Sequence, residues 1–217
     1  MSATRSIIYV SSGHESPEFE RKTRETLLKN CGNLPIVAVT QKPVDLGESC
    51  KNIVVGEVGA SGFNFCRQVQ IACENASTDF VISAESDCIY PPDYFQFTPR
   101  RLNVPYRNTN IFVQKYKQDF VCKKHSSTFA QIVGREFYIK RLNSLFVDQP
   151  MWDLKMRNFP KEINRMLFDE FEYWESENPC VSFKTGNGMR KHSPTGSMEF
   201  DSLPYWGNIG ELRKYYE

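Results

Sequence analysis

The peptide Phe80-Val81-Ile82-Ser83-Ala84-Glu85-Ser86-Asp87-Cys88 restricts what this chain can fold into more than any other segment. Its apolar run has no polar alternation, the mark of a strand covered on both faces, as in a parallel sheet. The run stops in two carboxylates with one residue between them. Ligands of open α/β sheets lie beyond the carboxyl ends of the strands, which puts Glu85 and Asp87 where a ligand belongs. In an extended chain residues i and i+2 point the same way, so the two acids repel each other unless a cation or a proton relieves them. A divalent metal is the simplest relief.

The elements before this strand suit such a sheet. Ile7-Ile8-Tyr9-Val10 reads as a first strand. Ser16 is a helix cap, Pro17 fits the first helical position and Gly32 a stop, which predicts a helix over 17–31. Leu34 to Thr40 and Asn52 to Val55 read as strands joined by the turn-prone Lys42-Pro43-Val44-Asp45-Leu46-Gly47. Cys66, Val69, Cys73 and Ala76 recur at helical spacing, leaving Arg67, Gln70 and Glu74 on another face. The resulting β-α-β-(β)-α-β order predicts an α/β protein with a mostly parallel sheet flanked by helices.

Later signals are weaker. A short helix is expected near Tyr90–Phe95, a strand pair at Ile111–Gln114 and Phe120–Lys123, and a strand then a helix start within Thr128–Ile139. A helical region broken at Pro160 is expected over Met151–Trp174, and a late strand over Cys180–Phe183.

No linker or composition break divides the 217 residues, so one domain is expected. The 27 basic and 26 acidic side chains nearly cancel, which excludes polyanion binding by bulk charge. The amino terminus carries no signal-peptide core and no apolar stretch reaches membrane-spanning length, so a cytoplasmic protein is expected. The seven cysteines lack metal-type spacing and read as reduced, mostly buried apolar residues.

The acid pair at the end of a buried strand, together with the β/α order before it, resembles the GT-A class of nucleotide-sugar glycosyltransferases of the Asp-x-Asp type, close to family 2. The likeness covers residues 1–95 as an ordered pattern, plus Gly188-Met189-Arg190-Lys191-His192. It departs from the pattern in having Glu85 for the first Asp. The resemblance implies a Rossmann-type sheet, a nucleotide-sugar-binding half over 1–95 and an acceptor-binding half over 96–217. It further implies a metal site of Asp87, Glu85 and His192 holding Mn2+ or Mg2+, and donor contacts from Glu85 and Arg67. The expected activity is transfer of a hexose from a nucleoside diphosphate sugar, with a uridine diphosphate donor as the first guess.

Residue chemistry adds to this. Hard cations take carboxylate and phosphate oxygen, and imidazole suits manganese. Arg190 and Lys191 offer positive charge to the same phosphates, and Gly186-Asn187-Gly188 a hinge. Ser11, Ser12 and Gly13 leave the first strand with little bulk, leaving room for a base and ribose. An inverting reaction needs a base, for which chain order offers Asp148 or Asp153.

Two segments admit other uses. Arg100, Arg101, Arg107, Lys115, Lys117, Lys123 and Lys124 alternate with aromatics and face only Asp119 in charge, the pattern of a nucleic-acid groove or of a solvated strand pair. A hydroxymethylated base in viral DNA is therefore one candidate acceptor. The acid run Asp169–Glu177 reads most simply as a solvated helix face, with acids and aromatics that could also hold a sugar. His14 and His125 read as bystanders. The rival activities are a sugar-phosphate nucleotidyltransferase, which ordinarily opens with a more glycine-rich, basic loop than Ser11-Ser12-Gly13-His14-Glu15, and a non-catalytic sugar- or nucleic-acid-binding module.

Overall fold

The computed structural model describes residues 4–155, 167–186 and 198–217. Four strands, β1 (Arg5–Ser11), β2 (Ile36–Thr40), β3 (Cys50–Val54) and β4 (Phe80–Glu85), run parallel in the order β3-β2-β1-β4. Beyond β4 the sheet continues antiparallel through β9 (Gln131–Gly134) to β6 (Tyr106–Asn108) and ends at β10 (Glu172–Trp174), giving seven strands. Both faces are covered, as the unalternating run of β4 requires. Ile7, Tyr9, Ile36, Phe80 and Ile82 pack on one side with Leu27, whereas Ile8, Val37, Val39, Val81 and Val133 pack on the other with Phe63 and Val69.

The helices form where local signals ask for them. In α1 (Pro17–Asn30) the Ser16 hydroxyl accepts from Phe19 N, and Pro17 opens the first turn. In α2 (Gly62–Asn75) Ser61 caps in the same way, accepting from Asn64 N. The third helix, α3 (Arg135–Leu145), follows β9 directly and packs against α2 through Tyr138 and Leu142. All seven cysteines are free, and six of them are buried. No described helix is long and apolar enough to cross a membrane.

The expected helix over Met151–Trp174 is not what forms where the chain is described; its residues 156–166 lie outside the described part. Glu172–Trp174 is instead a strand, parallel to β6. Pairing with β6 and contacts from the loop before it decide this: the Trp174 ring stacks on Phe97 at 4.6 Å, and Arg101 pairs with Glu172 at 3.0 Å and Glu170 at 3.5 Å. The acid run is thus a sheet edge and not a helix face.

A second sheet of five strands runs β12 (Glu199–Phe200), β8 (Val121–Lys124), β7 (Ile111–Lys115), β11 (Cys180–Lys184), β5 (Cys88–Ile89). A small hairpin of β13 (Ser202–Leu203) and β14 (Gly207–Asn208) leads into α4 (Ile209–Arg213). Phe19 of α1 packs into the core of the second sheet with Ile89, Phe183 and Leu212.

The two sheets meet at the end of β4, because Glu85 closes that strand and Cys88 opens β5, with only Ser86 and Asp87 between them. Two buried tyrosines fasten this joint. Glu85 N donates to Tyr90 Oη at 3.0 Å, and the same hydroxyl donates to Phe129 O at 3.0 Å. The Tyr94 hydroxyl donates to Ser83 O at 3.0 Å, and its ring stacks on Tyr90. A third tie is Thr23 of α1, which donates to Ser86 O at 2.9 Å. A fourth joins the loop after β1 to the end of β11: Thr185 Oγ1 donates to Glu15 Oε2 at 2.5 Å. Burial pushes the Glu15 carboxyl above its ordinary value of 4.5; the Thr185 hydroxyl opposes this, and Asp87 and Glu20 add to it.

Tyr90→Phe keeps the ring but strands the Glu85 N–H and the Phe129 carbonyl, so it should cost about 1–3 kcal/mol in urea unfolding with an unchanged m-value. The folded state holds the Glu15 proton to higher pH than the unfolded chain does. Its contribution to stability is therefore full below the ordinary value and falls as pH climbs through the raised one. Glu15→Gln should accordingly melt higher than the parent at neutral pH, with the gap closing below about pH 4.

Candidate functional site

The carboxyl ends of β1 and β4 open on a cavity of about 260 Å³, closed on the far side by the end of β11 and above by residues 59–61 and 126–129. Ser11 and Ser12 form its β1 wall. Ser11 Oγ donates to Glu20 Oε1 at 2.9 Å and accepts from Gly13 N at 3.0 Å, so one small side chain closes the turn that Gly13 completes at φ +64°. From α2, Gln68 reaches across and donates to Ser11 O at 2.9 Å and Val39 O at 2.8 Å, tying the ends of β1 and β2. Gln41 clamps Gly59 of the roof, donating to its carbonyl and accepting from its amide, both at 2.9 Å.

The acid pair sits at the floor. Glu85 and Asp87 are both half-buried cavity residues, and Val10 of β1 is the cross-strand neighbour of Glu85. Asp87 Oδ2 pairs with Lys184 Nζ at 2.9 Å, and Asp87 Oδ1 accepts from Cys88 Sγ at 3.2 Å. The backbone reinforces this, with Phe183 N donating to Asp87 O at 2.8 Å. Burial works against the Lys184 ammonium, but Asp87, Cys88 and Glu85 override it and lift its pKa above the ordinary lysine value. The Cys88 thiol moves well up as well, by burial first and by Asp87 and Glu85 next, and so stays protonated.

Ligand atoms of Glu85, Asp87 and Cys88 lie within 4.8 Å of one another. A protonated, buried thiol is a poor donor to a hard ion, whereas two carboxylates suit Mg2+ or Mn2+. The donor set therefore fits a hard divalent cation through Glu85 and Asp87.

Of the residues singled out in the sequence, Ser11, Ser12, Glu85 and Asp87 converge on the cavity, with Gly13 shaping its turn. Arg67 does not join them. Its guanidinium lies over the Phe146 ring at 3.7 Å and donates to Pro150 O at 2.8 Å and Gln70 Oε1 at 3.0 Å, pinning the loop after α3. One position along the helix, Gln68 takes the cavity-facing place. Asp148 is exposed at φ +56°, and Asp153 holds a turn by accepting from Lys155 N at 2.6 Å; neither lines the cavity. The Asp153 carbonyl does accept from the cavity residue Ser61 at 2.5 Å. Arg190, Lys191 and His192 lie outside the described residues.

The sequence reading missed Glu15, Lys184, Thr185 and Gln68, all of which line the cavity; His14, read there as a bystander, lines it too, as do Arg107 and Lys124 of the basic segment. Lys184 carried a usable signal: like Glu85, it is a charged residue that ends an apolar strand run. Two of the seven basic side chains of the segment 99–124 pair with the acid run. Arg101 pairs with Glu170 and Glu172, Lys123 with Glu175 at 3.7 Å, and Arg107 is buried over the Phe171 ring at 3.8 Å. Tyr106 and Phe112 point into the core.

No family model matches the sequence, and no curated protein does. Solved structures match in shape at low identity. TarS 1-349 from S. aureus shares 11% identity at a TM-score of 0.50, over 83% of this chain and 60% of that one. The mannosyltransferase PcManGT from Pyrobaculum calidifontis, in complex with GDP-Man and Mn2+, shares 10% identity at a TM-score of 0.50, over 87% of this chain and 59% of that one. A glucose-1-phosphate thymidylyltransferase structure from Bacillus anthracis shares 10% identity at a TM-score of 0.50, over 82% and 89%. The chain spans about three fifths of the first two structures. What is common to all three is the fold, and this chain has the mostly parallel, GT-A-type α/β sheet that its acid-ended strand suggested.

Proposed function

We propose that the protein is a glycosyltransferase that moves a hexose from a nucleoside diphosphate sugar to an acceptor hydroxyl. One observation carries this reading: Glu85 and Asp87 stand at the tip of β4, facing a cavity whose other wall is the small-residue end of β1. A similar fold in PcManGT holds GDP-Man and Mn2+, which supports a nucleotide sugar and a divalent ion here.

In this reading the donor's base and ribose rest against Ser11 and Ser12, where little side-chain bulk stands in the way. Asp87 and Glu85 would hold a divalent cation, which would supply Lewis-acid stabilisation of the departing diphosphate. Lys184 and Lys124 add positive charge to the same cavity, where low dielectric strengthens it. The walls from β11 and residues 126–129 exclude water from the donor and limit its hydrolysis. Arg190, Lys191 and His192 keep their role as further phosphate and metal contacts. Asp148 and Asp153 both remain the acids offered for acceptor deprotonation, and only the backbone carbonyl of Asp153 meets a cavity residue, Ser61. The donor nucleotide is proposed as uridine diphosphate, and the acceptor set includes small saccharides, peptides and hydroxymethylated DNA. With Arg101 and Lys123 paired within the protein, a DNA acceptor rests on Arg100, Lys115, Lys117 and Lys124 of that segment, and on Arg107 where it lines the cavity.

A second reading is favoured by one observation, the likeness to the thymidylyltransferase over 89% of that chain. Against it, the loop after β1, Ser11-Ser12-Gly13-His14-Glu15, has a single glycine and an acid where such an enzyme ordinarily has a more glycine-rich, basic loop.

A panel of nucleotide sugars with Mn2+ should release nucleoside diphosphate for one donor, and that release should stop with a chelator. Pyrophosphate release from a nucleoside triphosphate and a sugar 1-phosphate, with no diphosphate from any nucleotide sugar, would instead establish the second reading. Asp87→Asn should lower kcat/KM by roughly 10²- to 10³-fold, the loss expected when a metal's stabilisation of leaving-group charge is removed. Glu85→Gln should lower it as well, since it too removes one of the two carboxylates that would hold the cation.

A further inference from the structure

Asp87 faces the cavity with both carboxylate oxygens engaged, Oδ2 by Lys184 Nζ at 2.9 Å and Oδ1 by Cys88 Sγ at 3.2 Å. The ammonium belongs to a fixed strand. Val181 and Ser182 of β11 pair with Ile89 and Cys88 of β5, and Phe183 N holds Asp87 O at 2.8 Å. Only the four-carbon stem of Lys184 is free to swing. Its charge is surrounded by acids, with Asp87 in contact and Glu85 and Glu15 close enough to interact with it. A dication brought to Asp87 and Glu85 would meet this ammonium as a like charge in a confined, partly buried space, where repulsion is weakly screened.

We propose that Lys184 is a tethered cation that keeps the metal's place on Asp87 in the donor-free protein, and that a divalent ion binds there by displacing it. The inference rests on the donor-site reading above. Its consequence is cooperative loading. The displaced ammonium needs a new anionic partner, and the diphosphate of the donor is the group that brings one into the cavity. Metal and donor therefore each bind more tightly in the presence of the other, by the same factor. Donor-free protein holds the metal weakly.

The test is Mn2+ binding to the full chain without nucleotide, read as loss of the free-ion signal in electron paramagnetic resonance. Lys184→Met should bind Mn2+ at least tenfold more tightly than the parent, Lys184→Arg should stay as weak as the parent, and adding Asp87→Asn should abolish the gain. Equal affinity in the parent and Lys184→Met, both lost on Asp87→Asn, overturns the inference while leaving the metal-bearing donor site intact. Binding in Lys184→Met that ignores Asp87→Asn overturns the donor-site reading together with it. Should Lys184→Met fail to fold, the parent labelled with 15N-lysine answers the same question. The Lys184 ammonium resonance, assigned by its absence in Lys184→Arg, should move on Mg2+ addition and return with a chelator. A resonance that stays put at Mg2+ concentrations that shift the Asp87 amide overturns the inference.

Discussion

Four carboxylates crowd the carboxyl ends of β1 and β4, and the structure around them is arranged to hold that charge. Glu20 is buried and Glu15, Glu85 and Asp87 are half-buried, so none is fully relieved by water. Burial raises the pKa of Glu15 and Glu20 alike, and Asp87 adds to both shifts. Two basic side chains answer directly, Arg24 to Glu20 at 3.4 Å and Lys184 to Asp87 at 2.9 Å, and hydroxyls of Ser11 and Thr185 supply hydrogen bonds. Removing one partner from such a pair leaves an uncompensated charge, which is why the elements that carry these groups must be placed accurately.

That placement comes from the joint between the two sheets. The main sheet sets the ends of β1 and β4 side by side, and β5 starts immediately beyond the acids as the edge of the second sheet. Tyr90 and Tyr94 brace this turn, each with a buried hydroxyl on backbone groups at the end of β4 and in the segment before β9. The turn delivers β11, and with it Lys184, to the acid pair. A cavity lined by elements from both sheets follows from this geometry.

The acid run Asp169–Glu177 and the basic segment 99–124 show the same logic at the surface. Each looks like a binding feature when taken alone. Brought together at the β6–β10 edge, they satisfy one another in part, through Arg101, Lys123 and the ring contact of Arg107, and the exposed pairs among them contribute little to stability. Their effect is to remove some of the charge that a polyanion would otherwise meet.

The sheet was legible because burial writes itself into local pattern. The unalternating run of β4, the capped and proline-opened α1, and the helical spacing of Cys66, Val69 and Cys73 each report which faces are covered, and the parallel order follows from them. Glu85, Asp87, Ser11 and Ser12 were legible for the same reason, as the last residues of strands whose carboxyl ends share one edge. Arg67 was misplaced because one residue on a helix is a turn of about 100°, enough to trade the cavity for the Phe146 ring. The helix expected at Glu172–Trp174 failed because an aromatic and ionic neighbourhood outweighed local propensity. By itself, then, the sequence determined a parallel sheet with two acids at its ligand-facing edge. Only the tertiary structure decided that Lys184, 97 residues away, answers Asp87, because that meeting depends on the register of β5 against β11, and register between distant strands leaves no trace in local periodicity.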